Sequence, residues 1–163
     1  MTVRVAIAGS TGSIGTQTIG VIRAENAREP GSYAVAALSA GGANIETILA
    51  QIEEFRPEVV SIAREDARRE VAALTTGVLV TSDSEDIVES ADVVVNSVVG
   101  FAGLEVTVET LQAGKRLALA NKESLIAAGP VVQPLLSIPG AEIVPIDSEH
   151  CALHQCLRSS FEP

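Results

Sequence analysis

Three polar clusters in this chain of 163 residues have the residue types and spacing that a ligand site requires. The first, Gly9–Gly15 (GSTGSIG), contains three glycines spaced three apart. The second is Asn121–Ser124 (NKES), and the third is Asp147–His150 (DSEH). Each cluster directly follows a short apolar run. We therefore expect each to lie where a strand of an α/β sheet ends, which is where such sheets bind their ligands.

The glycine cluster predicts a phosphate-binding loop. Glycines let the backbone turn tightly and approach a pyrophosphate closely, and the free amides of a following helix attract anions. The spacing is GxxGxxG rather than the usual GxGxxG, so an ordinary glycine-rich turn is the alternative. A strand-like run, Val3–Ala8, precedes the cluster, and a helical stretch, Gly12–Ala27, follows it. This context favours a dinucleotide ligand.

The stretch Leu38–Asn44 (LSAGGAN) bears on which dinucleotide is bound. Sites for NAD usually place a carboxylate here to bind the ribose hydroxyls, and this stretch has none. It also lacks Lys and Arg. A 2′-phosphate would therefore be held by the amides of Gly41–Ala43, with Ser39 and Asn44, at the start of the next helix. NADP is the predicted cofactor, and a plain glycine turn is the alternative.

The other two clusters each allow two interpretations. Lys122 could hold a substrate hydroxyl or a nicotinamide ribose, or its cluster could be a solvated turn. Asp147 and Glu149 are two residues apart, so in extended backbone they point to the same side and suit Mg²⁺ or Mn²⁺. Alternatively, they could lie at the N-terminus of a helix and stabilise it through the helix dipole, with Asp147 or Ser148 as its cap. The pattern alone favours this second interpretation.

The cysteines predict no metal site. Cys151 and Cys156 lie near His150 and His154, but this spacing matches no usual zinc pattern. We interpret both cysteines as small buried groups. With two cysteines and no signal segment before the first predicted strand, a cytoplasmic location is expected.

Predicted strands and helices alternate along the chain. Strands are expected at Val3–Ala8, Tyr33–Ser39, Glu58–Ala63, Val78–Val80, Asp92–Ser97, Arg116–Ala120 and Glu142–Ile146. Helices are expected at Gly12–Ala27, Asn44–Phe55, Glu65–Leu74, Ser84–Ser90, Leu104–Ala113, Ser124–Ser137 and Glu149–Leu157. Asn44 is expected to cap the second of these helices and Ser84 the fourth, and Gly129-Pro130 should interrupt the sixth. The first helix should bury Ile14, Thr18, Val21 and Ile22. The alternation predicts a single α/β, Rossmann-like domain, with a mostly parallel sheet and helices on both faces.

Composition excludes several classes of protein. The net charge of -10 repels nucleic-acid backbones, and the three Phe and one Tyr are too few to stack bases. No apolar run reaches the roughly 18 residues of a membrane span. Hydrophobic residues make up 47% of the chain, so it can bury a core, which must be aliphatic.

Four blocks together give the chain its resemblance to a known family: Gly9–Gly15, Gly41–Asn44, Leu119–Ser124 and Pro145–His150. They resemble the 1-deoxy-D-xylulose 5-phosphate reductoisomerases, and unrelated dinucleotide folds do not pair the last two blocks. The resemblance covers essentially the whole chain but only the N-terminal part of the family's sequence. It implies an NADPH-binding domain over residues 1–163 that ends just after the first metal-ligand segment, with the C-terminal catalytic remainder absent.

The resemblance also implies an activity. Family members use NADPH and Mg²⁺ or Mn²⁺ to convert a sugar phosphate, 1-deoxy-D-xylulose 5-phosphate, to 2-C-methyl-D-erythritol 4-phosphate in non-mevalonate isoprenoid biosynthesis. The metal polarises the substrate carbonyl, and NADPH delivers hydride after the carbon skeleton rearranges. The full-length enzyme is expected to be a homodimer, and the 163-residue chain alone is expected to be inactive.

Site residues carry over by position, as implications of this resemblance. Lys122 is the implied catalytic residue, and it would also touch substrate, together with Ser148 and Glu149. The implied metal ligands are Asp147 and Glu149. The implied cofactor-binding residues are Thr11, Gly12, Ser13, Ile14, Gly42, Ala43, Asn44, Asn121 and Glu123.

The chain departs from the family pattern at two positions, and two other functions compete with this one. Ala43 stands where many members carry Lys or Arg, and His154 stands where relatives usually have an apolar residue. The family's third metal-ligand Glu, its main phosphate-binding residues and its flap lie downstream of Pro163. A non-catalytic NADP-binding module is one alternative. Another NADP-dependent oxidoreductase, such as an aldehyde or homoserine dehydrogenase relative, is the other, but it explains only the glycine loop.

Overall fold

The computed structural model describes residues 1–159, over which strands and helices alternate. The strands are β1 Val3–Ala8, β2 Tyr33–Ala40, β3 Val59–Ile62, β4 Leu79–Thr81, β5 Val93–Asn96, β6 Arg116–Leu119 and β7 Glu142–Pro145. The helices are α1 Ser13–Arg28, α2 Ile45–Phe55, α3 Glu65–Leu74, α4 Glu85–Glu89, α5 Gly103–Gln112, α6 Lys122–Leu135 and α7 Ser148–Ser159. A 3-10 turn covers Gly100–Ala102.

The strands form one sheet in the order β4-β3-β2-β1-β5-β6-β7. Every neighbouring pair is parallel. The chain builds outward from β1 to β4 and then crosses to β5, on the other side of β1. The carboxyl ends of β1 and β5 therefore form the switch point at which open α/β sheets bind ligands. The predicted Rossmann-like fold is confirmed.

Two aliphatic clusters cover the two faces of the sheet. Because successive strand residues point to opposite faces, Ile7 belongs to one cluster and Ala6 to the other. On the first face α1, α2 and α3 contribute Ile19, Ile22, Ile48, Ile52, Ala67 and Val71. On the second face α4, α5 and α6 contribute Ile87, Val88, Val106, Leu111, Ala128 and Val132. The core is aliphatic, as the composition predicts.

The predicted buried face of α1 is wrong for Ile14 and Val21. Ile14 is 37% exposed and Val21 is 61% exposed. A Cβ atom at Gly15 would lie 2.2 Å from the Gly9 carbonyl oxygen, so α1 meets the preceding loop more closely than a side chain would allow. This contact fixes the rotation of the helix about its axis, and the buried residues of α1 are Gly15, Ile19 and Ile22.

Two further details differ from the sequence prediction. Ser84 makes no side-chain cap for α4, and the Asp83 carboxylate accepts the Glu85 amide instead (3.0 Å). Helix α6 begins at Lys122 rather than at Ser124, and its kink falls at Ala128, just before the predicted Gly-Pro interruption. Within residues 1–159, no helix combines the length and apolar character needed to cross a membrane.

Candidate dinucleotide and substrate site

The glycine loop is tied to the end of the neighbouring strand. The backbone amides of Gly9 and Ser10 both donate to the Ser39 carbonyl, at 3.0 and 2.8 Å. The Gly12 amide donates back to the Gly9 carbonyl at 3.0 Å and so closes the turn before α1. These bonds hold the loop against the carboxyl end of β2.

Helix α1 begins at this loop, beside an open cleft. Gly12 is the N-cap residue, it has no side-chain cap, and the first turn contains no acidic residue. Thr11 and Gly12 line a cleft of about 430 Å³, together with Ser39, Gly41 and Ser97 from the ends of β2 and β5. Among the other predicted phosphate contacts, Ser13 and Ile14 lie exposed in the first turn of α1. A helix start of this kind binds anions well.

The turn between β2 and α2 forms the next part of this site. Gly42 has a φ of +94°, which other residues rarely adopt, and a Cβ atom there would lie 2.8 Å from the Ala67 Cβ on α3. Asn44 caps α2 as predicted, since its Oδ1 accepts the Thr47 amide at 3.1 Å. Ala43 and Asn44 are exposed beside the cleft-lining Gly41.

Gln51 is a residue of this site that the sequence analysis missed. It is 5% exposed, and its Nε2 donates to the Ser10 carbonyl at 3.1 Å. Because it lies seven residues after Asn44, the two side chains share one face of α2. The signal in the sequence is a polar residue on the apolar stripe between Ile48 and Ile52. Gln51 thus joins α2 to the glycine loop.

Asn121, which follows β6, bonds to the wall of the cleft. It is 3% exposed, and its Nδ2 donates to the carbonyls of Val98 (2.5 Å) and Gly100 (2.7 Å). Val98 lines the cleft, so Asn121 supports part of the cleft wall. The predicted contact of Asn121 with nicotinamide stays a prediction. Glu123, which follows on α6, is exposed.

Lys122 and Asp147 lie at the ends of β6 and β7 and line a second pocket of about 270 Å³. The hydrogen bond from the His150 amide is the largest cause that lowers the pKa of Asp147, and the hydrogen bond from the Ser148 hydroxyl is the largest cause that lowers the pKa of Glu149. The positive charge of Lys122 lowers both pKa values further. Both carboxyl groups therefore favour the charged form.

Asp147 also caps α7. Its Oδ1 accepts the His150 amide at 2.9 Å and lies 2.8 Å from the His150 Nδ1, while Ser148 Oγ donates to Glu149 Oε2 at 2.7 Å. The carboxylate oxygens suit a hard cation such as Mg²⁺, which takes about six ligands. Within residues 1–159, no group of three or more Asp, Glu, His or Cys residues is placed to hold a metal. Two carboxylates thus supply only part of such a site.

The side chains that follow on α7 differ from their prediction. Cys151 is half-buried and Cys156 is exposed, so the expectation that both are buried is wrong. Helix α7 packs against β7 but fully buries none of its residues. The Nε2 of His154 is buried in the second pocket and has no hydrogen-bond partner within residues 1–159.

Taken together, the fold and the cleft define a dinucleotide-binding domain of the Rossmann class, with a lysine and two carboxylates at the ends of its outer strands. The family model for 1-deoxy-D-xylulose 5-phosphate reductoisomerase matches residues 5–129. The chain therefore belongs to the 1-deoxy-D-xylulose 5-phosphate reductoisomerase family.

Curated relatives agree with this assignment. The chain is 44% identical to the 1-deoxy-D-xylulose 5-phosphate reductoisomerase of a Synechocystis species over 97% of its own length and 41% of the relative. It is 48% identical to that of Rhodococcus jostii, over 95% of its own length and 38% of the relative. The chain thus spans about two fifths of the length of the relatives that it matches.

Solved structures show the same likeness. A DOX-P reductoisomerase in complex with NADPH, fosmidomycin and magnesium superposes with a TM-score of 0.83 at 37% identity, covering 94% of this chain and 38% of that one. The Zymomonas mobilis enzyme in complex with NADPH gives 0.80 at 30% identity, covering 91% and 40%. A homoserine dehydrogenase from Thiobacillus denitrificans, at 19% identity and a TM-score of 0.53, shares the fold alone.

Proposed function

We propose that this chain is the NADPH-binding part of a divalent-metal-dependent reductoisomerase that converts 1-deoxy-D-xylulose 5-phosphate to 2-C-methyl-D-erythritol 4-phosphate. The observation that carries the proposal is the uncapped start of α1 at a cleft beside the β1–β5 switch point. Family membership supplies the reaction, and relatives solved with NADPH and magnesium support the cofactors. Residues 1–163 are proposed to form the cofactor-binding domain.

The cofactor is held in two parts. The loop residues Thr11, Gly12, Ser13 and Ile14 receive the pyrophosphate, because the start of α1 has no competing cap. The turn at Gly42, Ala43 and Asn44 receives the adenosine phosphate. Asn121 and Glu123 lie toward the nicotinamide half.

The substrate is held at the ends of β6 and β7. Lys122 and Ser148 bind and orient the sugar phosphate, and Lys122 is the catalytic residue. Asp147 and Glu149, which are kept charged, hold Mg²⁺ or Mn²⁺ with ligands from outside the described residues, and Glu149 also contacts substrate. When bound, the metal polarises the substrate carbonyl and NADPH supplies the hydride.

Two measurements on the 163-residue chain test this proposal. Calorimetric titration with NADPH should give saturable binding, and thermal unfolding should shift upward with cofactor concentration. No binding heat and no thermal shift at millimolar NADPH would contradict the cofactor assignment. AMP, which lacks both the 2′-phosphate and the pyrophosphate, is the control ligand and should bind far more weakly.

The second measurement is turnover with 1-deoxy-D-xylulose 5-phosphate and Mg²⁺. We expect no substrate-dependent NADPH oxidation by this chain, because its two carboxylates provide too few metal ligands. Steady turnover would show that these 163 residues suffice for catalysis. The full-length protein is proposed to be an active, cytoplasmic homodimer that acts on a small sugar phosphate.

A further inference from the structure

The cleft proposed for NADPH has no positive side chain in its wall. Its lining is dominated by glycines, small apolar residues and hydroxyl groups, and its charged member, Glu105, is acidic. The chain as a whole carries a net charge of -10. A 2′-phosphate entering this cleft therefore meets an unfavourable field unless a cation stands close to the binding turn.

Arg64 stands beside that turn. Its backbone amide donates to the Gly41 carbonyl at 3.3 Å. A Cβ atom built on Gly42 would lie 3.1 Å from the Arg64 Cβ, so the side chain of Arg64 begins beside the turn. The preceding residue, Ala63, lines the cleft itself. The sequence does not reveal this proximity, because Arg64 lies 22 positions after Gly42 and only the pairing of β2 with β3 brings the ends of those two strands together.

The present partner of Arg64 is one that a phosphate can replace. Its guanidinium pairs with Asp66, with Nε 3.1 Å from Oδ1 and a second contact from Nη2 to Oδ2, and both side chains are more than half exposed. Exposed ion pairs contribute little to stability, so exchanging Asp66 for another anion costs little. Arg68, the next arginine on the same side of α3, already donates to the Ile62 carbonyl at 3.0 Å.

We propose that Arg64 binds the 2′-phosphate of NADPH and thereby makes this site select NADP(H) over NAD(H), an inference that rests on the proposed cofactor function. The planar guanidinium offers two parallel N–H donors to phosphate oxygens, and such charge-assisted pairs are the strong ones. The amides of the Gly41–Ala43 turn complete the phosphate site. NADH lacks the 2′-phosphate and gains nothing from Arg64.

The test compares the dissociation constants of NADPH and NADH for the full chain and its Arg64→Gln variant. We expect Arg64→Gln to raise the Kd for NADPH about tenfold, since a hydrogen-bonded charge pair is lost, and to change the Kd for NADH less than about twofold. Arg64→Lys keeps the positive charge but loses the planar pair of N–H donors. It should therefore raise the Kd for NADPH by a smaller factor. The NADPH affinity of Arg64→Gln should also depend less on salt.

Arg69→Gln is the matched control. It removes an equal charge and breaks an exposed ion pair with Glu65, five residues further along the chain than Arg64. Its Kd values should equal those of the wild type. The proposal is overturned if Arg64→Gln changes the NADPH value less than threefold, or weakens NADPH and NADH by the same factor. Failure of the wild type to bind either dinucleotide would instead contradict the proposed function itself.

Discussion

The cofactor cleft and the Lys122–Asp147 region both lie at carboxyl ends of the same parallel sheet, yet they are built differently. The cleft is braced by bonds between elements: Ser39 accepts two loop amides, and Gln51 reaches from α2 to Ser10. In the second region, Asp147 and its neighbours bond within their own helix turn. The bonds that brace the cleft thus join distant parts of the chain, whereas the hydrogen bonds of the two carboxylates in the second region stay within one helix turn.

This difference indicates which ligands each region can bind without further residues. Preorganised amides at the start of α1 need no further partner to bind a phosphate. A hard cation needs about six ligands, and Asp147 with Glu149 supplies too few. Mutations should therefore affect the first region through cofactor binding and the second through helix stability.

The largest effect is expected from Gly15→Ala. The new Cβ atom would lie 2.2 Å from the Gly9 carbonyl oxygen, so α1 and the loop must move apart. We expect the variant to lose about 3 kcal/mol of unfolding free energy and to lose NADPH binding. Chemical denaturation and calorimetric titration measure these effects.

Gly20→Ala is the control for that substitution. Gly20 lies on the same helix, and a Cβ atom there meets nothing within 4 Å. This change should raise the free energy of unfolding by about 0.5–1 kcal/mol and leave cofactor binding unchanged. If Gly15→Ala binds NADPH like the wild type, the close approach of helix and loop does not shape the cleft.

The next largest effect is expected from Gln51→Met, which keeps the side-chain length but cannot donate to the Ser10 carbonyl. Leaving that buried carbonyl unsatisfied should cost about 1–3 kcal/mol of unfolding free energy. The Kd for NADPH should rise about tenfold, because the loop is no longer held to α2. Glu53→Met, at an exposed position of the same helix, should change neither quantity. A destabilised variant with unchanged affinity would show that Gln51 supports the core and not the cleft.

Local patterns in the sequence predicted the helices and strands. The features that they did not predict depend on contacts between residues that are far apart in the chain. The helix from Glu65 to Leu74 agrees at both ends, and the Asn44 cap is confirmed. The predicted buried face of α1 was wrong because the close contact of Gly15 with Gly9 sets the rotation of the helix, and the spacing of its apolar residues does not. The proximity of Arg64 to Gly42 depends on strand pairing, which no window of adjacent residues contains.

Substitutions in the second region should have a smaller effect on stability, because Asp147 acts there as a helix cap. Asp147→Ala removes the acceptor of the His150 amide and should lower the free energy of unfolding by about 1 kcal/mol. Asp147→Asn keeps an oxygen for that amide and should be close to the wild type in stability. Neither variant should alter the Kd of NADPH. A weakened NADPH affinity in Asp147→Ala would contradict the separation of the two regions.

The smallest effect concerns two carboxyl groups, Glu109 on α5 and Asp147 in the second region, whose pKa values shift in opposite directions. Burial raises the pKa of Glu109 on α5, and the acidic neighbours Glu105, Asp83 and Glu85 add to this rise, whereas donors lower the pKa of Asp147. The Ser84 hydroxyl works against the rise, although the two side chains do not meet hydrogen-bond geometry.

Because the pKa of Glu109 is higher in the folded state than its ordinary 4.5, the folded protein binds this proton more tightly than the unfolded chain does. Stability is therefore lost as the pH rises from 4.5 through the raised pKa, and it stays lower above it. Glu109→Gln should be slightly more stable than the wild type at pH 7, with the difference vanishing below pH 4.5. Urea denaturation of both proteins from pH 4 to pH 8 measures this. A constant difference across that range would mean that the charge of Glu109 is not its origin.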